Sequence, residues 1–501
     1  MALELLIPIS LILVLLLLSI KLALFSTKTS VKLPPSPRKL PFIGNLHQIG
    51  LLPHKSLHKL SKKHGPFMLL QLGQVPTLVV SSSEMAKEIL KTHDLIFASR
   101  PKVNAADIML YGSQNLAFSP YGEHWRQMRK IAVTNLLSMK RVQSLHGTME
   151  EQVAHMLSKI SAASSSISPI NLSKILFSFT NGMLFRAILG TSFDEEGENK
   201  MKFHEMMEET AVLLGGFNVE DYFPSFGWLC SLFGLDERAK RASSKWDSVL
   251  DQMIKDHVNR TKKGEGEDDD LIDVLLSIQG DPKKEFSLSK DHMKALLLDM
   301  LFAGSETGYV ILEWSLAELI RNPKVMKKLQ DEVRGKAFGK SMVKEKDLSD
   351  MNYLKAFLKE ILRLHPPAPL LVPRESMESC RIQGYDIPKK TRVIVNYWAI
   401  TRDQQIWDSP EELWPERFET NPIDFKGQHN YEYIPFGAGR RMCPGVHYGV
   451  TITELALANL VHRFDWKLPD GMVIEDLDMT ETHALTVKMK SNLLLVAKPC
   501  F

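Results

Sequence analysis

The distribution of apolar and polar positions divides the chain into an apolar block and a longer region of mixed periodicity. Leu5 to Phe25 is almost wholly apolar, interrupted mainly by Pro8, two serines and Lys21. Its 21 residues (5 through 25) suffice to cross a bilayer as a helix, with Lys21 reaching back to the headgroups. Pro34-Pro35-Ser36-Pro37, Pro41 and Gly44 follow, a stiff stretch that cannot continue a helix. Gly65 to Ser81 alternates apolar and polar residues, with turn signals at Gly73 and Pro76, and predicts a small β-sheet. From about Pro120 to Ile320 the apolar period is helical, with breaks at Ser164–Pro169, Phe223–Gly227 and Lys262–Asp270. Within it Asp291 to Leu319 is unbroken and predicts a helix over about 288–320, roughly 50 Å long at 1.5 Å per residue. Strand-like runs return between Leu370 and Val395 and between Thr486 and Ala497. No repeat of fixed period is present. These elements predict one mainly α globular domain with small β-sheets over 46–501, behind a membrane anchor at 1–27 and a proline-rich hinge at 28–45.

Composition narrows the setting. The 501 residues are 44% hydrophobic and 24% charged, ordinary for a globular chain, and a formal net charge of +3 gives no reason to expect nucleic acid as a partner. Four cysteines, Cys230, Cys380, Cys443 and Cys500, are widely spaced and lack a CxxC pair, which points away from a disulfide framework and towards a reducing compartment. Only Glu4 is charged ahead of the apolar block, and no small-x-small cleavage site follows it. Lys21, Lys28, Lys32, Arg38 and Lys39 lie at or after its end, so it reads as an uncleaved anchor with the globular domain in the cytosol. In that orientation the acceptor patterns Asn171-Leu172-Ser173 and Asn259-Arg260-Thr261 stay unglycosylated.

Chemistry concentrates at Pro435-Phe436-Gly437-Ala438-Gly439-Arg440-Arg441-Met442-Cys443-Pro444-Gly445, directly ahead of a helical pattern. Glycines at 437, 439 and 445 permit a tight turn that aims amide N–H groups at one sulfur, and Pro444 suits a first helical turn. A thiolate there, beside Arg440 and Arg441, has its charged form favoured, so Cys443 reads as a metal ligand; a small buried hydrophobe is the plain alternative. Upstream, Ala303-Gly304-Ser305-Glu306-Thr307 interrupts the long helix with a glycine that costs about 1 kcal/mol relative to alanine. Close approach of a flat cofactor or of oxygen explains it, and so does helix packing. Glu306 and Thr307 sit about 100° apart around that helix. Glu360 and Arg363 share a helical face before a proline stop, by default a surface ion pair worth under about 1 kcal/mol. Trp125 and Arg129 likewise share a face, with an exposed basic patch as the default.

The run Phe436, Gly439, Arg441, Cys443, Gly445 resembles the haem-thiolate signature of the cytochrome P450 family, and the other motifs extend that resemblance over most of the chain after the anchor. It implies the cytochrome P450 fold, with haem b ligated by Cys443 and seated by Phe436. Its propionates would meet Trp125, Arg129, Arg374 and Arg441. Glu306 and Thr307 would deliver protons for oxygen activation, though Gly308 stands where many plant members have Ser or Thr. Glu360, Arg363 and Arg417 would form a structural network behind the haem loop, and Ala303, Gly304, Leu371, Val372, Ala484 and Leu485 would line the substrate pocket. Leu33-Pro34-Pro35-Ser36-Pro37, the Lys359–Pro367 run, Pro373-Arg374-Glu375 and Trp398–Asp403 resemble plant microsomal members of specialised metabolism.

The resemblance implies a single-pass protein of the endoplasmic reticulum membrane. It would insert one oxygen atom from O2 into a lipophilic terpenoid, phenylpropanoid or alkaloid, with NADPH electrons delivered by cytochrome P450 reductase. Arg126, Lys130, Lys140 and Arg440 are candidates for the reductase docking face. Two alternatives stand beside this reading: a haem-thiolate isomerase or dehydratase, and a non-catalytic haem-binding membrane protein.

Overall fold

The computed structural model describes residues 32–500, except 165–167, 191–197, 235, 260–269, 281–285, 421–422, 426–429 and 483. The anchor expected at 1–27 and nearly all of the loop expected over 262–270 lie outside the described residues. Five helices position the site: α1 (Glu123–Ile131), α2 (Leu172–Leu189), α3 (Lys290–Arg321), α4 (Asn352–Leu364) and α5 (Val446–Arg463). α3 starts within the span the sequence predicts, at a reciprocal cap: the Ser289 hydroxyl accepts the His292 N–H (3.1 Å) while the Ser289 N–H donates to His292 Nδ1 (3.2 Å). It stops at Asn322, ahead of Pro323, which cannot extend it. α2 and α3 are each long and apolar enough to cross a membrane, but both are mostly buried inside the protein, because they are core helices apolar nearly all round.

The crossing of α2 and α3 explains two glycines. A Cβ on Gly304 would come within 2.9 Å of Leu184 Cδ1, and one on Gly308 within 3.2 Å of Thr180 Cγ2. Glycines four apart on α3 therefore face residues four apart on α2, and the helices approach through the missing side chains. Of the two explanations open for Gly304, helix packing is the one this crossing supports, and Gly308 lies at the same crossing.

The first and third sheets form from the predicted stretches, whereas two strands of the second, at Ile170–Asn171 and Phe464–Lys467, lie outside them. β1 (Phe67–Leu72) and β2 (Val75–Val80) pair antiparallel, with Phe67 opposite Val80. β2 then pairs in parallel with β7 (Arg392–Val395), which pairs antiparallel with β4 (Arg374–Glu375). β3 (Ile170–Asn171), β9 (Leu494–Pro499) and β8 (Phe464–Lys467) make a second sheet, and β5 (Cys380–Ile382) with β6 (Tyr385–Ile387) makes a third. The expected hinge boundary at 45/46 falls inside packed structure. Leu69 N–H donates to Pro35 O (2.9 Å), Asn45 N–H donates to Gln71 O (2.6 Å), and Pro34 and Pro37 are buried, so the second half of the proline-rich stretch is laid along the first sheet.

Glu360 and Arg363 on α4 are wholly buried, which overturns the default of a surface pair. Arg363 grips Glu360 through Nε (2.7 Å) and Nη2 (2.8 Å), and Nη1 donates to the carbonyls of Thr401 (2.9 Å) and Pro410 (2.7 Å). Arg417 Nε donates to Glu360 Oε1 (3.1 Å), and so does the Trp414 N–H (2.9 Å). One carboxylate thus pins α4 to the 401–417 segment. Removing one partner of such a buried pair strands a charge in low dielectric. Glu360→Gln should therefore lower the unfolding free energy by about 3–5 kcal/mol in denaturant titration, while Asp331→Asn, which breaks the exposed Lys327–Asp331 pair, should stay within about 0.5 kcal/mol.

Candidate functional site

The cysteine loop turns at Gly437 (φ 69°) and Gly439 (φ 70°), conformations that favour glycine. At Gly439 a Cβ would also collide with Asp94 Oδ1 and Leu90 O. The loop closes on itself: Cys443 N–H donates to Phe436 O (2.9 Å), and Met442 N–H donates to Gly439 O (3.1 Å). The Gly445 N–H points at Cys443 Sγ (3.4 Å). Helix α5 begins at Val446 with Gly445 as its cap, so Pro444 precedes the helix instead of occupying its first turn. Cys443 carries accessible surface yet is desolvated by the protein around it, so its sulfur faces a pocket within the molecule. Burial pushes its thiol pKa up, against the Gly445 amide and the charge of Arg129.

The cation beside the sulfur is therefore Arg129, not the expected Arg440 and Arg441. Arg129 Nη2 donates to Met442 O (2.8 Å). Arg441 donates to the carbonyls of Ala98 (2.7 Å) and Ser119, and its guanidinium lies 4.1 Å over the Trp125 ring. The Trp125 indole N–H is given to Leu116 O (3.1 Å). Arg374 donates to Asp94 Oδ1 (3.1 Å) and Ala438 O (2.7 Å), and Arg440 turns to the other Asp94 oxygen (2.8 Å).

Two members of this cluster escaped the sequence reading. Arg100 spans the pocket wall, donating to Val372 O (2.6 Å), Pro373 O (2.9 Å) and Ala117 O (2.9 Å). Asp94 is the carboxylate that touches the cluster. Their only sequence signals were an arginine before a proline and a lone aspartate, both too common to single out. Burial pushes Arg441 down to about 9, with Arg374 and Arg129 adding to the fall, and lowers Arg100 through burial and then Arg441, Arg374 and Arg129. Buried guanidinium groups that destabilise one another fit a bound dianion, as the two propionates of a haem supply.

On α3, Asp299, Ala303 and Thr307 are spaced four apart and keep accessible surface, while most of their neighbours are buried. They mark one face of the helix as a pocket lining. The Thr307 hydroxyl donates to Ala303 O (2.7 Å). Glu306 points elsewhere: its Oε1 accepts from the Thr486 hydroxyl (3.1 Å), its Oε2 has no partner, and burial raises its pKa. Val372, Ala484 and Leu485 pack against the main core, and Leu485 N–H donates to Ala211 O (3.3 Å). Leu371, at φ 51°, is partly buried and packs against the cluster under the first sheet.

The family model described as Cytochrome P450 matches residues 34–496. The chain belongs to the cytochrome P450 family. It is 50% identical over 469 residues to Cytochrome P450 71A9 of Glycine max, covering 93% of each chain. It is 46% identical to Strychnine-11-hydroxylase of Strychnos nux-vomica, covering 94% of this chain and 92% of that one. It is also 46% identical to Phenylacetaldehyde oxime monooxygenase CYP71AN24 of Prunus mume, covering 94% and 89%. A zebrafish cytochrome P450 solved with progesterone superposes with a TM-score of 0.76 at 25% identity, over 90% of this chain and 100% of that one. This P450 is accordingly a haem-b-dependent, haem-thiolate monooxygenase of the plant A-type, and its mainly α architecture is the P450 fold.

Asp299 ties this P450's pocket wall to α3. It accepts from Asn115 Nδ2 (2.6 Å) and from the Leu116 N–H. Burial is the largest influence and raises its carboxyl to about 6, against those donors. A carboxyl raised on folding contributes stability that is fully present below its unfolded value near 4 and lost as pH climbs through about 6. Asp299→Asn should therefore gain on the wild type in chemical-unfolding midpoint as pH rises from 4.5 to 7. Parallel curves over that window would show that Asp299 does not titrate there.

Proposed function

We propose that Cys443 would hold the haem iron through its thiolate and that Arg129, Arg374, Arg441 and Arg100 would receive the propionates, with Phe436 completing the seat and Trp125 stacked against Arg441. The observation that carries this is the convergence of buried guanidinium groups with a pocket-facing cysteine and little carboxylate to balance them. Haem b held there supplies the redox chemistry that activates O2 for insertion of one oxygen atom into a substrate. The chain's own residues do the rest. Thr307 presents a hydroxyl on the pocket face of α3, and Glu306, buried with one oxygen unpartnered, is the acid that recharges it with protons through water or a turn of its side chain. Ala303, Val372, Ala484 and Leu485 make the site apolar, which orients a lipophilic molecule and excludes water. A plant specialised metabolite, such as a terpenoid, phenylpropanoid or alkaloid, suits that lining; two relatives are named for strychnine and for phenylacetaldehyde oxime.

Residues 1–27 anchor the enzyme in the endoplasmic reticulum membrane, with the globular domain in the cytosol and electrons arriving from NADPH through the reductase. In support, Phe42, Ile43, Phe217, Phe226, Trp228, Leu232 and Phe233 are exposed apolar side chains on neighbouring segments, since Gly73 N–H donates to Ile43 O and Gln74 N–H donates to Tyr222 O. Lys130 and Lys140 remain exposed for a reductase, whereas Arg126 is held by Glu123 and Arg440 by Asp94.

Cys443→Ala should abolish the red-shifted band of the reduced, CO-treated protein; survival of that band would overturn the ligand assignment. Thr307→Ala should keep the band and lose about tenfold in product formed per NADPH consumed, a loss of about 1.4 kcal/mol in the productive step. The substrate for that assay comes from screening the reductase-coupled protein against lipophilic plant metabolites by mass. NADPH-independent conversion would favour the isomerase reading instead.

A further inference from the structure

Asp94 occupies an unusual place among these charges. Its carboxylate is buried, and it receives the Arg374 guanidinium on Oδ1 (3.1 Å) and the Arg440 guanidinium on Oδ2 (2.8 Å). The Arg440 backbone N–H is bonded to it as well (3.1 Å to Oδ2). Gly439 must be glycine for the carboxylate to come this close to the cysteine loop. The same short segment supplies Ala98 O to Arg441 and carries Arg100, so residues 94–100 form a strip along the cationic wall of the pocket. Asp94 shares Arg374 with whatever anion that arginine meets on its pocket side, and it shares itself between the buried Arg374 and the half-exposed Arg440.

We infer that Asp94 is a positioning residue that sets the haem reduction potential: by drawing on Arg374 it limits the positive charge left for the propionates, and Arg440 sets how strongly it draws. This rests on the reading that Arg374 meets a propionate. An added electron on the haem is favoured by positive charge nearby, and in a buried site that influence is weakly screened. Removing the Asp94 charge frees Arg374 and moves the potential upward. Removing the Arg440 charge leaves Asp94 wholly to Arg374 and moves it downward, and that second effect needs Asp94 to be present.

The test is a mediator-coupled spectroscopic redox titration of the purified full-length holoenzyme, without substrate or reductase. Asp94→Asn should titrate at a more positive potential than wild type and Arg440→Gln at a more negative one, while Asp94→Glu should return towards wild type. The Arg440→Gln shift should shrink in the Asp94→Asn background. Each variant is first checked for the reduced–CO band. Loss of that band in the wild type would count against the haem-thiolate reading itself, whereas a normal band with unchanged potentials, or shifts of the same sign, would overturn the inference about Asp94. Should Asp94→Asn fail to fold, Arg440→Gln alone decides, because its half-exposed side chain can be replaced without opening the core: no downward shift refutes the proposal.

Discussion

The rest of the site depends on the desolvation of Arg100, Arg374 and Arg441 around a single pocket. Guanidinium groups taken out of water and set beside one another are costly, and the structure offsets this with an unusual density of backbone acceptors. The carbonyls of Ala98, Leu116, Ala117, Ser119, Val372, Pro373 and Ala438 all receive bonds from these arginines or from Trp125. The arginines and the 98–119 and 372–373 segments are thus one hydrogen-bonded structure, so a change in either is felt in the other.

Asp299 and Asp94 bound this structure on two sides. Asp299 reaches from α3 to the amides of the 115–116 segment, and Asp94 reaches from the end of an early helical turn to the cysteine loop. Further back, Glu360 performs a related task for the 401–417 segment, with Arg363 and Arg417 both committed to it. In each case a carboxylate holds backbone that lies in loops or single short turns rather than in a long helix or a sheet. That is the physical reason such a large, mainly helical chain can carry a long loop around its most chemically demanding residue.

Much of the architecture was legible in the sequence because it is local. The span of α3, the Gly73 turn between β1 and β2, and the glycines of the cysteine loop are decided within a few residues of themselves, and the structure has them where the pattern puts them. The cysteine motif was legible for the same reason, since its chemistry is written in eleven consecutive residues from Pro435 to Gly445. Gly304 and Gly308 show the limit of this reading. Each is visibly a glycine in a helix, but whether it makes room for a cofactor or for Leu184 and Thr180 depends on which helix crosses there.

The sequence by itself determined the long core helix and the first small sheet, because these follow from periodicity along the chain, and the resemblance of its motifs to a known family supplied the reaction class. Only the tertiary structure decided which cations stand together. It set Arg129 rather than Arg440 beside the sulfur, brought in Arg100 and Asp94, and turned Glu306 to Thr486. The physical reason is that charge acts through space. Arg440 and Arg441 are neighbours in the chain, yet one turns to a carboxylate and the other to carbonyls more than three hundred residues away, and no local pattern records that choice.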